Sequence, residues 1–316
     1  MIHIRKRVLC LVVMTAPAIA AGQGAGDDFA RCVDPAAVPR KLAGGMKFTE
    51  GPVWVPQGGG YLVFSDIPAG ELKRWSEQDG LTTWRKPSHG ANGNTLDARG
   101  RLITCEHEGR RLAILEGDGT LRTLVDRFEG MRFNSPNDLV VAGDGAVYFT
   151  DPDYGLRGQA GELGGRWVFR FDPASGDLRV LAKDFDKPNG IALSPDGRKL
   201  YVADSGAPKH IRVFEVAADG GISNGRVFCE IGQGAPDGIR CDEDGRVWSS
   251  AGDGVRIFDA AGRLSGIIPV PEAPANLCFG GAEGRTLFIT ARTSLYAIGV
   301  RVRGALPAVA RRGPPP

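Results

Sequence analysis

The chain has 316 residues, 42% of them apolar, with 46 glycines, 21 prolines and a formal net charge of +2. That composition describes a turn-dense globular protein with enough apolar residues for a sizeable core, and excludes a disordered chain. The near-neutral charge excludes the clustered basic face that nucleic-acid binding needs.

The N-terminus reads as a secretory signal. Arg5, Lys6 and Arg7 form a basic start, residues 8–15 are apolar, and Ala18-Ile19-Ala20 is a small-x-small pattern with cleavage expected after Ala20. The apolar run is too short to span a bilayer, and no later stretch is long and apolar enough to do so. Loss of residues 1–20 turns the charge of +2 into about −1. The sequence therefore predicts an exported, periplasmic protein, monomeric or a small homo-oligomer. Residues 21–45 are expected to be a polar lead-in, 46–303 the folded domain, and 304–316 a basic, disordered tail.

From residue 46 onward one pattern recurs six times. An oxygen-bearing side chain stands just ahead of a short apolar run that leads into a glycine-rich turn. The six are Glu50 in FTEGPVW, Asn92 in GANGNTLDARGRL, Asn137 in SPNDLVVAGDGAVYF, Asn189 in KPNGIALSPDGRKLYV, Asp237 in APDGIRCDEDGRVW and Asn276 in PANLCFGGAEGRTLF. They lie 42, 45, 52, 48 and 39 residues apart. One four-stranded propeller blade takes roughly 40–45 residues.

After each turn comes a β-rich strand: YLVFSD, RLITCE, AVYFTD, KLYVAD, RVWSSA and TLFITA. Third strands follow as GELKRW, RRLAIL, RWVFRF, HIRVFEV, GVRIFD and SLYAIG, and weaker fourth strands as LTTWR, LRTLV and LRVLA. No long segment keeps a helical apolar period, so helix is a minor component. A sandwich could also hold many short strands. Six recurrences of one hairpin grammar favour an all-β six-bladed β-propeller with four antiparallel strands per blade.

If each recurring segment is the innermost strand of its blade, the six oxygens ring the central channel. Two carboxylates and four amides suit a hard cation, and calcium takes six to eight oxygens. Zinc, manganese or magnesium could substitute. Glu50 and Asp237 could instead cap turns or pair with arginines, and the asparagines could form Asx turns. Asn276 lacks the Asp or Gly that follows the others in most repeats. Asp138 follows Asn137 and could orient it. Glu106, His107, Arg110 and Arg111 cluster after a second strand, where His107 or Glu106 could reach a substrate and an arginine could hold an oxyanion. His89 precedes Asn92 by three. Asp151, Asp153 and Tyr154 in DPDYG could line the pocket, although a proline-containing connection explains them more simply.

Beyond Cys10 in the signal there are Cys32, Cys105, Cys229, Cys241 and Cys278, an odd number. A bridge between Cys229 and Cys241 is conceivable, and Cys105 and Cys241 read as small core residues. There is no Cys-x-x-Cys or phosphate-binding loop, so thiolate zinc and nucleotide chemistry lack support.

FTEGPVW, SPNDL with YFTDPDYG, PNGIALSPDGRKLYVADS, and PDG with DEDGRVW stand in an order that resembles the gluconolactonase / senescence-marker-protein / luciferin-regenerating family of six-bladed propellers. The resemblance covers about residues 46–300, and HGANGNTLDARGRLITCEHEGRR is similar to its bacterial gluconolactonase-like branch. It implies that Glu50, Asn137, Asn189 and Asp237 are calcium ligands and that Asn92 lies beside the substrate. Members that hold substrate with an arginine two residues before this asparagine differ from this chain, which has Gly90 there.

The expected activity is hydrolysis of a small-molecule lactone or ester. Calcium would act as Lewis acid, Asp237 as general base, and His107 or Glu106 as its substitute. His89, Asn92, Arg110 and Asp138 are the expected substrate contacts. Two other expectations stand beside it: hydrolysis of a phosphotriester or fluorophosphate at the same site, and a non-catalytic, calcium-bound binding propeller.

Overall fold

A computed structural model describes residues 23–305. The signal and its cleavage site lie outside the described residues, as do residues 306–316 of the tail. Six four-stranded antiparallel sheets form the blades of a propeller. Their innermost strands are Thr49–Val55, Ala91–Leu96, Leu139–Val141, Pro188–Leu193, Ile239–Cys241 and Pro274–Gly280. The second and third strands fall where the hairpin grammar places them.

The sixth blade closes the ring with both ends of the chain. Its outer strand is Arg40–Gly44, paired antiparallel with Ser294–Gly299. The stretch read as a lead-in therefore supplies a blade strand, and the folded domain starts before residue 46. Sequence grammar misses this because the closing strand stands alone, with no repeat around it. A helix, Gln23–Cys32, precedes it. Asp28 on that helix meets Arg246 at 3.1 Å and accepts from the Ser265 hydroxyl at 2.6 Å. At the other end the Ala305 N–H donates to the Cys241 carbonyl at 2.9 Å, so ordered contacts run past the expected boundary at 303. No described helix is long and apolar enough to cross a membrane.

The core is divided among the blade interfaces. Leu62, Phe64 and Trp75 of blade 1 pack on Cys278 and Phe288 of blade 6, and Tyr148 and Val168 of blade 3 pack on Ile191 and Val202 of blade 4. Both faces of a second strand are thus covered, which is why YLVFSD reads as a continuous apolar run rather than an alternation. Each fully buried side chain of this kind contributes about 1.5–3 kcal/mol. All five described cysteines are buried free thiols. The conceivable Cys229–Cys241 bridge is not formed; both side chains pack in the interface between blades 4 and 5.

The second strands of the first four blades end on an acid. Asp66 accepts from the Lys47 and Phe48 N–H groups, Asp151 from Asn134 and Ser135, and Asp204 from Asp186 and Lys187. Each carboxylate ties its blade to the connection that enters the innermost strand. Glu106 occupies the same place in blade 2.

Candidate active site

Each ring residue sits where its innermost strand breaks register. The pairing shifts between Glu50 and Val53, Ala91 and Asn94, Pro188 and Ile191, and Pro274 and Asn276. In blades 3 and 5 regular pairing begins only two residues after Asn137 and Asp237. A bulge re-aims one side chain out of the ladder, and here it points six polar side chains into the channel.

The glycines that follow four of them permit this. A Cβ on Gly51 would lie 2.0 Å from the Asn92 carbonyl oxygen, and one on Gly190 would lie 2.1 Å from that of Asp237. Neighbouring blades meet backbone to backbone at the channel wall, so Glu-Gly, Asn-Gly and Asp-Gly are packing requirements. Gly190→Ala is expected to cost about 1–3 kcal/mol through overpacking. Gly164, with open space around its Cβ position, should accept alanine without that loss. Thermal melts of the two variants check this.

The side chains form a belt of two hydrogen-bonded runs. Asn92 Nδ2 donates to Asn137 Oδ1 at 2.6 Å, and Asn137 Nδ2 donates to Asn189 Oδ1 at 2.6 Å. The Asn189 amide lies beside the Asp237 carboxyl. On the opposite side, Asn276 Nδ2 donates to Glu50 Oε2 at 2.9 Å, and the Gly51 N–H donates to the same oxygen at 2.8 Å. Asn276 Oδ1 accepts from its neighbour Leu277 N–H at 2.8 Å, so Asn276 steadies Glu50 and keeps its own oxygen turned away.

The donor set fits a hard divalent cation. Glu50 is buried while Asp237 keeps some contact with solvent. Burial pushes the Glu50 carboxyl up to about 7, against the pull of Gly51 and Asn276. Asp237 is raised well above the usual range by burial, then by the charges of Glu50 and Asp138. The two carboxylates repel each other, and neither forms an ion pair among the described residues, Arg240 being paired with Asp138. Asn92 Oδ1 is also buried without a hydrogen-bond partner among the described residues. A cation held by Glu50, Asn137, Asn189 and Asp237 would relieve the repulsion, and the orphaned amide oxygen lies in the same belt. No group of three His, Cys, Asp or Glu side chains forms a metal cluster among the described residues; amides would supply the rest of the oxygens here.

The other expected site residues fall into two groups. His107 joins the belt: its Nε2 lies 3.1 Å from Asn92 Nδ2 and 3.2 Å from Asn137 Oδ1. Burial pushes its pKa down to about 4, so the ring is neutral at physiological pH. Glu106 does not join. Its two oxygens are taken by Arg85 at 3.3 Å and Arg111 at 2.7 Å, making it the blade-2 member of the tying acids rather than a free base. Arg110 is equally committed, donating to the Phe133 carbonyl at 2.5 Å and to Glu162 at 3.0 Å, so no oxyanion is left for it to hold. His89 is an exposed turn residue with φ 56°, and its carbonyl accepts from Glu108 and Gly109.

Asp138 meets no substrate space either. It is buried and forms an ion pair with Arg240 at 3.0 Å, joining blades 3 and 5 across the channel. Arg240 also donates to the Ile239 carbonyl at 2.7 Å and lines the channel cavity beneath the belt. Sequence reasoning missed this arginine. The available signal was the one charge placed directly after an inner-strand isoleucine.

DPDYG does line the site. Ser135 Oγ donates to the Pro152 carbonyl at 2.7 Å and accepts from the Gly155 N–H at 3.0 Å. That pins a short 3-10 turn, Tyr154–Leu156, against His107, and a Cβ on Gly155 would lie 2.9 Å from His107 Cβ. The Tyr154 side chain reaches Asn189 and Ser205 and feels the Asp237 charge; burial first, then that charge, push its pKa up to about 12. Asp151 itself stays in its tying role, away from the belt.

A family model for the SMP-30/gluconolactonase/LRE-like region matches residues 48–293. The chain belongs to this family. It is 34% identical over 294 residues to a gluconolactonase of Zymomonas mobilis, covering 83% of this chain and 81% of that one. A solved gluconolactonase structure from Xanthomonas campestris is 36% identical, covers 86% of this chain and 92% of its own, and superposes with a TM-score of 0.81. Pentonolactonase XacC of Haloferax volcanii is 28% identical over 263 residues, covering 80% of this chain and 84% of its own. Within this SMP-30/gluconolactonase member, Gly90 has φ 68° and a Cβ there would lie 2.9 Å from Glu108 N. Any side chain at that position would crowd Glu108.

Proposed function

We propose that this chain is a metal-dependent lactone hydrolase. The observation that carries it is the pair of carboxylates, Glu50 and Asp237, held in one belt with four asparagines at the channel mouth. Three relatives that match most of the chain are named for lactone hydrolysis. Glu50, Asn137, Asn189 and Asp237 would hold calcium, with zinc, manganese or magnesium as substitutes. Calcium bound there supplies Lewis-acid polarisation of a carbonyl.

The protein groups supply the rest. Glu50 is fixed by Asn276 and Gly51 and leaves Oε1 without a protein donor. Asp237 is the proton acceptor, because it is the acid of the belt with solvent access. It takes a proton from the water that adds to the lactone carbonyl carbon. The ring C–O bond then breaks, and the proton returns from Asp237 to the released alkoxide oxygen. Asn92, braced by His107, faces the same space. Glu106 lacks a free oxygen for this work, and His107 has its Nε2 engaged by two amides.

A lactone panel followed by pH-stat titration tests the reading. Glucono-, galactono- and rhamnono-lactones, an aromatic lactone and one phosphotriester are assayed after chelation and after calcium, zinc or manganese is returned. Turnover of a lactone, abolished by chelation and restored by a cation, is expected. Turnover of the phosphotriester alone would replace the proposed substrate class. Silence across the panel with calcium bound would reduce the chain to a binding propeller.

A further inference from the structure

One charged group beside the belt has no role in that scheme. Lys187 lies two residues before Asn189, and its Nζ stands 5.1 Å from the centre of the Tyr154 ring. The nearby carboxylates are all committed elsewhere. Asp153 and Asp186 are bound by Arg166 at 2.7 and 3.3 Å. Asp204 accepts from the N–H groups of Asp186, Lys187 and Gly206. Lys187 itself has no ion pair among the described residues.

The Lys187 backbone is also held fast. Its N–H donates to Asp204 at 2.8 Å, and its carbonyl accepts from Ser205 at 3.0 Å. An ammonium resting on an aromatic face is pre-positioned by the ring quadrupole, and here the ring belongs to a residue that reaches the belt. The charges of the site itself cancel. A divalent cation held by the belt would balance Glu50 and Asp237, and Arg240 balances Asp138. The lysine therefore supplies a positive charge on the rim that nothing in the protein neutralises.

We propose that Tyr154 and Lys187 form a specificity wall for lactones that carry an anionic group away from the reacting carbonyl. The Tyr154 ring covers a C–H face of the lactone, and the Lys187 ammonium meets a carboxylate or phosphate on the substrate. This rests on the lactonase reading of the site. It names sugar-acid lactones with a second acidic function as the substrate class.

The test compares kcat/KM for a neutral aldonolactone, a lactone of a dicarboxylic sugar acid and a phosphorylated aldonolactone, all with cation-loaded enzyme. An anionic-to-neutral ratio of about tenfold to hundredfold is expected, the size of one charge-assisted hydrogen bond. It should shrink as salt rises. Lys187→Gln should bring the ratio close to one, mainly through KM of the anionic lactone, and Lys187→Arg should retain most of it. The carboxylate and phosphate arms show which anion the wall prefers.

A wild-type ratio near one, or a ratio that Lys187→Gln leaves in place, overturns the proposal while leaving lactonase activity standing. If the wild type turns over no lactone, the underlying reading fails, and binding still decides the wall. Calorimetry with an open-chain dicarboxylate and its monocarboxylate counterpart should then show a preference that Lys187→Gln removes. Equal binding of both acids overturns the wall as well.

Discussion

Asp237→Asn is expected to lower kcat on a lactone substrate by about 10²–10⁴-fold, the usual contribution of a positioned general base. The expectation separates two carboxylates that look alike in the sequence. Glu50 is buried and held by the Asn276 amide and the Gly51 N–H. Asp237 keeps solvent contact and has Asn189 and Tyr154 as neighbours. Glu50→Gln therefore removes charge from the cation site alone, and raising the calcium concentration should restore much of its turnover. Asp237→Asn removes both charge and proton acceptor, so saturating calcium should restore binding and leave kcat low. The acid limb of the pH–kcat profile should vanish in Asp237→Asn and survive in Glu50→Gln. Full turnover by Asp237→Asn with calcium bound would move the proton to another group.

The sequence carried the belt because its geometry is repetitive. A blade returns to the channel once per repeat, and the bulge that aims a side chain inward needs a following residue small enough for the next blade's backbone. That is why Glu50-Gly51, Asn92-Gly93, Asn189-Gly190 and Asp237-Gly238 stand out in the chain. Features set by contacts between blades left weaker traces. Glu106 looks reactive beside His107, yet its partner Arg85 comes from the preceding blade. Asp138 looks like a helper of Asn137, yet its partner Arg240 comes from across the channel, 102 residues later. Asn276 was doubtful for want of a following glycine, and in the structure its amide turns its N–H to Glu50.

Arg240 shows how the channel divides the work. The Asp138 charge pushes both Glu50 and Asp237 upward, and Arg240 pulls Glu50 down. With its own cation beneath the belt, the protein neutralises the third acid and leaves Glu50 and Asp237 without an ion pair among the described residues. A propeller channel is otherwise open at both ends. The guanidinium lines the cavity beneath the belt, and the turn carrying Tyr154 packs beside His107.

Calcium should stabilise the fold strongly at pH 8 and weakly at pH 5.5. Without a cation, Glu50 titrates near 7 when folded against 4.5 as its ordinary value. A folded-state pKa above the unfolded one means that the folded chain holds the proton longer. Stability from this group is therefore full below about pH 4.5 and is lost as pH rises through 7, a loss on the order of 3 kcal/mol. Asp237 has the same sign. A cation binds the ionised pair and reverses that loss, adding about 2.7 kcal/mol at a hundredfold excess over Kd. At pH 5.5 it must first displace protons, so its increment shrinks.

The raw melting temperature mixes other groups into the same window. Asp151, raised to about 7 by burial, also destabilises as pH rises, with no cation to reverse it. His107, pushed down to about 4, acts oppositely, because stability is lost as pH falls and the unfolded imidazole takes a proton. Glu71 and Glu272, held near 2, matter only in more acid solution. The difference between calcium and chelator at each pH isolates the belt. Calorimetric melts at the two pH values should give the larger calcium increment at pH 8, and Glu50→Gln should flatten the contrast. An equal increment at both pH values would mean that the cation binds somewhere other than between Glu50 and Asp237.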